Sequence, residues 1–259
     1  MALTKSQEEI EKMRRGGHLL SRALKAAVDA VAPGVSLREL DTIAERVIVE
    51  GGGEPSFKGY RSKPSDVPFP STLCVSVNEE IVHGLGNRER PLKKGDIVGL
   101  DIGCWFEGLC TDMAVTVPVG EVSDDAKKLI QVTKDSLMAG VRAARIGGEI
   151  KDISTAVEAY VKPYGYGIVR ALVGHGVGHA VHEDPHVPNY VSDRYPKVVI
   201  EEGMCLALEP MLGMGGDYHV ETAKDGWSIV MADGSLGGHF EVTIAVTKKG
   251  TEILTPLPV

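Results

Sequence analysis

Leu172-Val173-Gly174-His175-Gly176-Val177-Gly178-His179-Ala180-Val181-His182 sets three histidines inside a run of apolar residues and glycines. An imidazole is costly to bury unpaired, so each histidine here needs a hydrogen-bond partner or a metal ion. The glycines on either side of His175 let the backbone turn tightly and approach another group closely. For one histidine alone, the ordinary reading is a glycine-rich turn holding a satisfied core histidine. Carboxylates elsewhere in the chain weaken that reading.

Asp101 closes the apolar run Ile97-Val98-Gly99-Leu100, and Glu209 closes Cys205-Leu206-Ala207-Leu208. Residues 96–106 and 109–117 flank Glu107-Gly108 in the pattern of a β-hairpin. Asp112, across that hairpin, is then expected to point the same way as Asp101 from the neighbouring strand. Glu241 sits in Phe240-Glu241-Val242-Thr243-Ile244, where alternation puts the apolar residues on the opposite face. Carboxylates on apolar strands are rarely buried unpaired. Four of them with His175 ask for positive charge, and no Lys or Arg lies in these segments. Divalent metal supplies it, and carboxylates bridge two ions about 3.5–4 Å apart. Oxygen-rich ligation with one imidazole suits Co, Mn, Fe(II) or Zn rather than a soft copper site. Such a pair activates a water near neutral pH and polarises a carbonyl, the chemistry of peptide hydrolysis. His83 and His182 are left to hydrogen-bond the substrate or an oxyanion.

Around this centre the chain reads as helices and strands. Residues 4–31 carry apolar residues at helical spacing, with Thr4 and Ser6 as candidate caps and Pro33-Gly34 as the stop. Ser36, with Glu39 as a capping box, opens a second helix that Gly51-Gly52-Gly53 ends. Residues 54–71 form a loop with prolines at 55, 64, 68 and 70. Strands are expected over 72–77, 81–83, 168–173, 204–208, 222–231 and 239–246, and helices over 123–145 and 149–161. Two echoes recur at nearly one offset. Gly34-Val35-Ser36-Leu37 resembles Gly147-Gly148-Glu149-Ile150 at 113 positions, and the run ending in Asp101 resembles the run ending in Glu209 at 108. Each half reads as two helices followed by strands, one strand ending in a carboxylate. Residues 1–259 are therefore expected to form a single catalytic domain of two related halves.

Composition narrows the function. A 259-residue chain with 43% hydrophobic residues fits a globular protein. No apolar run approaches the roughly 20 residues of a membrane span, and Met1-Ala2-Leu3-Thr4-Lys5 lacks a signal-peptide pattern. The net charge of -8 argues against a nucleic-acid surface. The cysteines, Cys74, Cys104, Cys110 and Cys205, form no C-x-x-C pair, which points away from a zinc ribbon and towards a reducing cytoplasm.

With these residues in place, the chain resembles the type I methionine aminopeptidases of the pita-bread metallopeptidases over nearly its whole length. The specific pieces are the stretch from His175 to Pro185, Leu208-Glu209-Pro210-Met211, Lys224-Asp225-Gly226-Trp227 and Phe240-Glu241. The resemblance implies an α+β pita-bread fold, a pseudo-two-fold antiparallel sheet with helices on its outer face. It implies two divalent ions held by Asp101, Asp112, His175, Glu209 and Glu241. In it Asp112 and Glu241 bridge, Asp101 completes one site, and His175 with Glu209 completes the other. Glu209 also shuttles protons, His83 contacts the substrate and His182 stabilises the tetrahedral intermediate. Tyr60, Phe69, Cys74, Val181 and Trp227 are expected to form the methionine pocket, with Val181 where relatives carry an aromatic. The implied activity is removal of initiator methionine before a small second residue such as Ala2. The implied partners are peptide and nascent-chain N-termini and the ribosome, with a monomer expected and neither membrane nor nucleic acid bound.

The chain departs from that pattern in its proline-rich 61–70 segment, in the glycines of 213–216, and at His239, where a Gln is expected. Alternation puts His239 on the face of Glu241, and an ordinary hydrogen bond behind the ligands is the expectation. Two rivals remain. A proline-specific amino- or dipeptidase of this fold shares the five ligands but usually carries a large extra N-terminal domain. A non-catalytic binding protein on this fold loses ligands, and all five are present. A type II methionine aminopeptidase carries an inserted helical segment, whereas His182 to Glu209 spans 27 positions.

Overall fold

In the computed structural model, which describes residues 4–61, 63–65 and 67–259, strand alternation sorts the chain into an apolar layer and a polar one. Four helices form, α1 (Gln7–Asp29), α2 (Leu37–Glu50), α3 (Asp124–Ala143) and α4 (Ile150–Val161). Ser6, not Thr4, caps α1: its hydroxyl accepts from the Glu9 N–H at 3.2 Å, and the Glu9 carboxylate accepts from the Ser6 N–H at 2.7 Å. Thr4 instead bridges to Met204. At α2, Ser36 accepts from the Glu39 N–H, which is one half of the expected box, and Gly51 closes the helix.

The large sheet has nine strands: β1 (Glu54–Pro55), β2 (Leu73–Val77), β3 (Ile97–Phe106), β4 (Leu109–Pro118), β5 (Gly174–Gly176), β6 (Glu183–Val187), β7 (Cys205–Leu208), β8 (Glu241–Thr247) and β9 (Gly250–Ile253). Its main path runs β1-β3-β4-β8-β7-β5-β6, with β2 on β3 and β9 on β8, and each pairing is antiparallel. Glu107 and Gly108 join β3 to β4 with φ of 49° and 80°, the two positive values a type I′ turn requires. Val98, Leu100 and Ile102 of β3, Met113 and Val115 of β4, Leu206 and Leu208 of β7, and Val242 and Ile244 of β8 share one core with all four helices. The helices thus cover one face, and the intervening residues of these strands line the other.

The two echoed stretches repeat the same hydrogen bonds. Gly34 N–H donates to Leu92 O and Leu37 N–H to Arg90 O; Gly147 N–H donates to Ile200 O and Ile150 N–H to Val198 O. Gly34 and Gly147 both take positive φ, 95° and 78°, which glycine adopts without steric cost.

Several expected elements differ. Of 168–173, only Ile168 lies in a strand, Gly167–Ile168 paired with Leu212 and Gly213; Val169 N–H still donates to Met211 O at 3.0 Å, and the chain then leaves that edge. Residues 222–231 are a hairpin, Val220–Thr222 and Ile229–Met231, turned by Asp225. The strand expected over 239–246 breaks at Phe240, so Gly237–His239 pairs with Met211–Gly213 while β8 stays in the large sheet. The 54–71 loop contains β1, and β6 and β9 were not expected. Ser62, Asp66 and Met1–Leu3 lie outside the described residues, and with them the Met1-Ala2 terminus and part of the 61–70 segment.

Candidate metal and substrate site

Register alone brings the acidic groups to one face. Opposed residues of an antiparallel pair point the same way. Asp112 opposes Gly103, two residues from Asp101; Glu241 opposes Ala114, two residues from Asp112. His175 and Thr243 both oppose Ala207; Ala207 lies two residues from Glu209, and Thr243 two residues from Glu241. Gly103, opposite Asp112, leaves room for the segment packed against it, Ser56 and Phe57. A Cβ on Gly103 would come within 2.1 Å of Ser56 Oγ. Thr243 Oγ1 stitches the centre, accepting from Asp112 N–H at 2.9 Å and donating to Asp112 O at 2.8 Å.

Asp101, Asp112, His175, Glu209 and Glu241 line one cavity of about 290 Å³ together with His83, His182, His239, Tyr60, Phe69, Cys74 and Trp227. Asp112, His175 and Glu241 bring one donor atom each within 4.8 Å of one another, and so do Glu209, His239 and Glu241. Asp101 joins neither triplet; its carboxyl lies beside the Cys74 thiol, on the strand register that opposes the two residues. Asp101 Oδ1, Asp112 Oδ1, Glu241 Oε1 and His239 Nε2 are buried without a hydrogen-bond partner among the described residues. Orphaned buried acceptors of this kind are expensive, and a divalent cation satisfies them. The donor set is mostly carboxylate oxygen with imidazole, so the residues fit Co, Mn, Fe(II) or Zn.

The electrostatics agree. Burial pushes the Asp101 carboxyl up to about 7. Burial, then repulsion from Asp101, holds Asp112 well above the usual range. Glu209 and Glu241 are raised by burial and next by Asp112. Burial lowers His175 to about 3 and His83 to about 4, so both rings are neutral and free to accept a cation or donate a hydrogen bond. The four acids cannot all ionise together without added positive charge.

The histidines of the opening stretch go three ways. His175 enters the acid cluster, with Nε2 3.5 Å from Glu209 Oε1. His179 turns away to Glu9 Oε1 at 2.7 Å. His182 stands at the cavity mouth, its ring edge-on to His175 with centroids 4.5 Å apart, and burial of its inner side lowers its pKa. The loop carrying it is held by Glu183, which accepts from Ala180 N–H at 2.8 Å and pairs with the buried Lys5 ammonium. His83 takes φ 57°, a strained value for a non-glycine residue. Its neighbours fix it: Val75 N–H donates to Gly84 O at 2.7 Å, and Gly84 N–H to Ser76 Oγ at 3.1 Å.

The apolar end is framed by Phe69 and Trp227, edge to face at 5.2 Å. Asp225 fixes the backbone of Trp227 by accepting its main-chain N–H at 2.9 Å. Val181 does not line the cavity. It is buried in the cluster with Ile10, Met13 and Val177, because the loop after Gly178 turns residue 181 inward beneath α1. Phe57, Val82, Leu172 and Val173 line the cavity instead. The apolar run Leu172-Val173 carried that signal in sequence but reads equally as strand core.

A curled antiparallel sheet backed by four helices, with a cluster of acids and histidines on its inner face, defines a metallopeptidase fold. The chain belongs to metallopeptidase family M24, whose pattern matches residues 11–248. Among individual relatives it is 44% identical over 256 residues to the methionine aminopeptidase of Clostridium acetobutylicum, covering 98% of this chain and 99% of that one. A crystal structure of methionine aminopeptidase from Thermotoga maritima superposes with a TM-score of 0.91 at 39% identity, covering 97% of this chain and 98% of that one. The prolidase of Pyrococcus furiosus shares the fold alone, with a TM-score of 0.78 at 22% identity, and the match covers 98% of this chain but 65% of the prolidase. No helix among the described residues is long and apolar enough to cross a membrane.

Proposed function

We propose that this protein removes N-terminal methionine from peptides and nascent chains whose second residue is small. The observation that carries the reading is the continuity of one cavity. The acid cluster, two neutral histidines and the apolar frame of Phe69 and Trp227 all line the same space. Bound divalent ions would supply Lewis-acid polarisation of the scissile carbonyl and a nucleophilic water. Asp101, Asp112, His175, Glu209 and Glu241 would hold them. Glu209, less enclosed than Asp112 or Glu241, takes the water's proton and passes it to the leaving amine. His83 hydrogen-bonds the substrate beside the scissile bond, and His182 donates to the developing oxyanion.

Methionine's unbranched thioether suits a slot walled by aromatic rings. Tyr60, Phe69, Cys74 and Trp227 provide it. A bulky second side chain would crowd the acids and His83. On this reading the whole chain acts as one catalytic domain of two related halves. It works as a cytoplasmic monomer on chains emerging from the ribosome.

Hydrolysis of Met-Ala-Ser, Met-Lys-Ser and Ala-Pro peptides by metal-loaded protein tests the proposal. Met-Ala-Ser should be cleaved well, Met-Lys-Ser poorly and Ala-Pro not at all. Faster cleavage of Ala-Pro than of Met-Ala-Ser would replace this reading with a proline-specific peptidase.

A further inference from the structure

His239 is a fourth histidine in the cavity, and the ligand set above leaves it without a role. Its backbone is fixed by a single hydroxyl: its N–H donates to Thr116 Oγ1 at 2.9 Å, and Thr116 Oγ1 donates to its carbonyl at 2.8 Å. It also pairs with Met211 in the short sheet, just beyond Glu209. Phe240, the next residue, is fully buried in the helix-backed core, so residues 239 and 241 both turn to the acid side. The His239 side chain is 3% exposed.

The hydrogen bond expected behind the ligands is not made. His239 Nε2 is buried without a hydrogen-bond partner among the described residues. Glu209 Oε2 lies 3.8 Å away and Glu241 Oε2 3.9 Å away, both beyond hydrogen-bond reach. Two donors each about 2.1 Å from a shared ion lie at most about 4.2 Å apart. Both separations fall inside that limit, as does the 3.5 Å between His175 Nε2 and Glu209 Oε1. A spacing too long for a hydrogen bond and short enough to share an ion is what a ligand set without its ion would show.

We infer that His239 is a metal ligand, supplying through Nε2 a second imidazole, beside His175, to the cation site that Glu209 and Glu241 form. The inference rests on the metal reading above and adds a residue to it. A second nitrogen donor favours Co, Fe(II) or Zn over Mn. His239→Gln should therefore weaken Co(II) binding by about 10-fold or more, with a smaller loss for Mn(II).

Ligation is read directly by NMR of the full chain carrying nitrogen-15 histidine and loaded with cadmium-113. Cadmium–nitrogen splitting is expected on two histidine Nε2 resonances in the wild type, on one in His239→Gln and on one in His175→Gln. Splitting of a single wild-type resonance that survives His239→Gln overturns the inference and leaves the metal reading intact. Cadmium bound with no histidine split overturns His239 ligation, and wild type that binds no cadmium at saturation overturns both. The wild-type count decides the question even if a variant does not fold.

Discussion

The Tyr60 hydroxyl lies 3.0 Å from Nδ1 of His182. Burial lowers the His182 pKa, so its ring is neutral and carries one proton. With Tyr60 donating to Nδ1, that proton sits on Nε2 and is available to an oxyanion. Tyr60→Phe frees the other tautomer and should lower kcat by up to about 10-fold, the worth of one such hydrogen bond. His182→Ala should lower it by about 10²-fold or more. Steady-state kinetics check both, with metal content expected to stay at the wild-type level. Loss of metal in His182→Ala would make His182 a ligand instead.

Stability of the chelator-treated protein should fall as pH rises above neutrality. Folded carboxyls are raised by burial, to about 7 for Asp101 and well above the usual carboxylate range for Asp112, Glu209 and Glu241. Unfolded carboxyls ionise near about 4 and histidines near about 6.5. A raised acid contributes stability that is full below its unfolded value and is lost as pH rises through its folded value. His83, His175 and His239 are lowered to about 4, 3 and 3, so their contribution is lost only as pH falls below the unfolded value. Between about pH 6.5 and the onset of thiol ionisation at about pH 8.5 in the unfolded chain, then, the acids set the slope; above it the four buried cysteines, all raised by burial, add to the decline. Urea midpoints should decline towards alkaline pH without metal and hold steady with it. A rising midpoint in chelator would contradict the assignment of the acids.

Lys5 and Glu183 form an ion pair whose side chains are 0% and 5% exposed. Lys5→Met leaves Glu183 buried without its partner and should cost about 3–5 kcal/mol. Adding Glu183→Gln should recover part of that loss. Chemical unfolding of the two variants checks it. Equal stability of Lys5→Met and wild type would show that the pair does not hold the His182 loop.

Pocket shape should decide side-chain choice. Norleucine, which differs from methionine only by a methylene for sulfur, should replace it with a loss within about 10–200-fold, and branched leucine should be worse. Trp227→Ala should raise KM for methionyl peptides more than it lowers kcat, because Trp227 frames the apolar end. Comparison of kcat and KM across the three peptides checks this. Leucine accepted as well as norleucine would show that the slot does not read branching.

Much of this site could be read from the chain because it rests on period-two alternation. The Glu107-Gly108 turn fixes the hairpin register, and register parity then puts Asp101 and Asp112 on one face. Elsewhere the pairing is non-local. Nothing near Phe240 in the sequence says that the strand leaves one sheet for another there. The 168–173 run is apolar enough for a strand, but partners decide that only two of its neighbourhood's residues pair. Val181 lies in the same loop as His182, yet the Lys5–Glu183 pair and the turn at Gly178 send it into the core. The missing partner of His239 Nε2 depends on three strands at once.

The central claim is that buried acids and imidazoles on one sheet face hold two divalent ions. Equilibrium dialysis of the chelator-stripped, anaerobically handled chain against Co(II) or Mn(II), followed by elemental analysis, tests it most directly. The account predicts two ions per wild-type chain, with binding lost in Asp112→Ala, which removes one carboxylate of the buried cluster. Wild type that retains no ion at any concentration would contradict it.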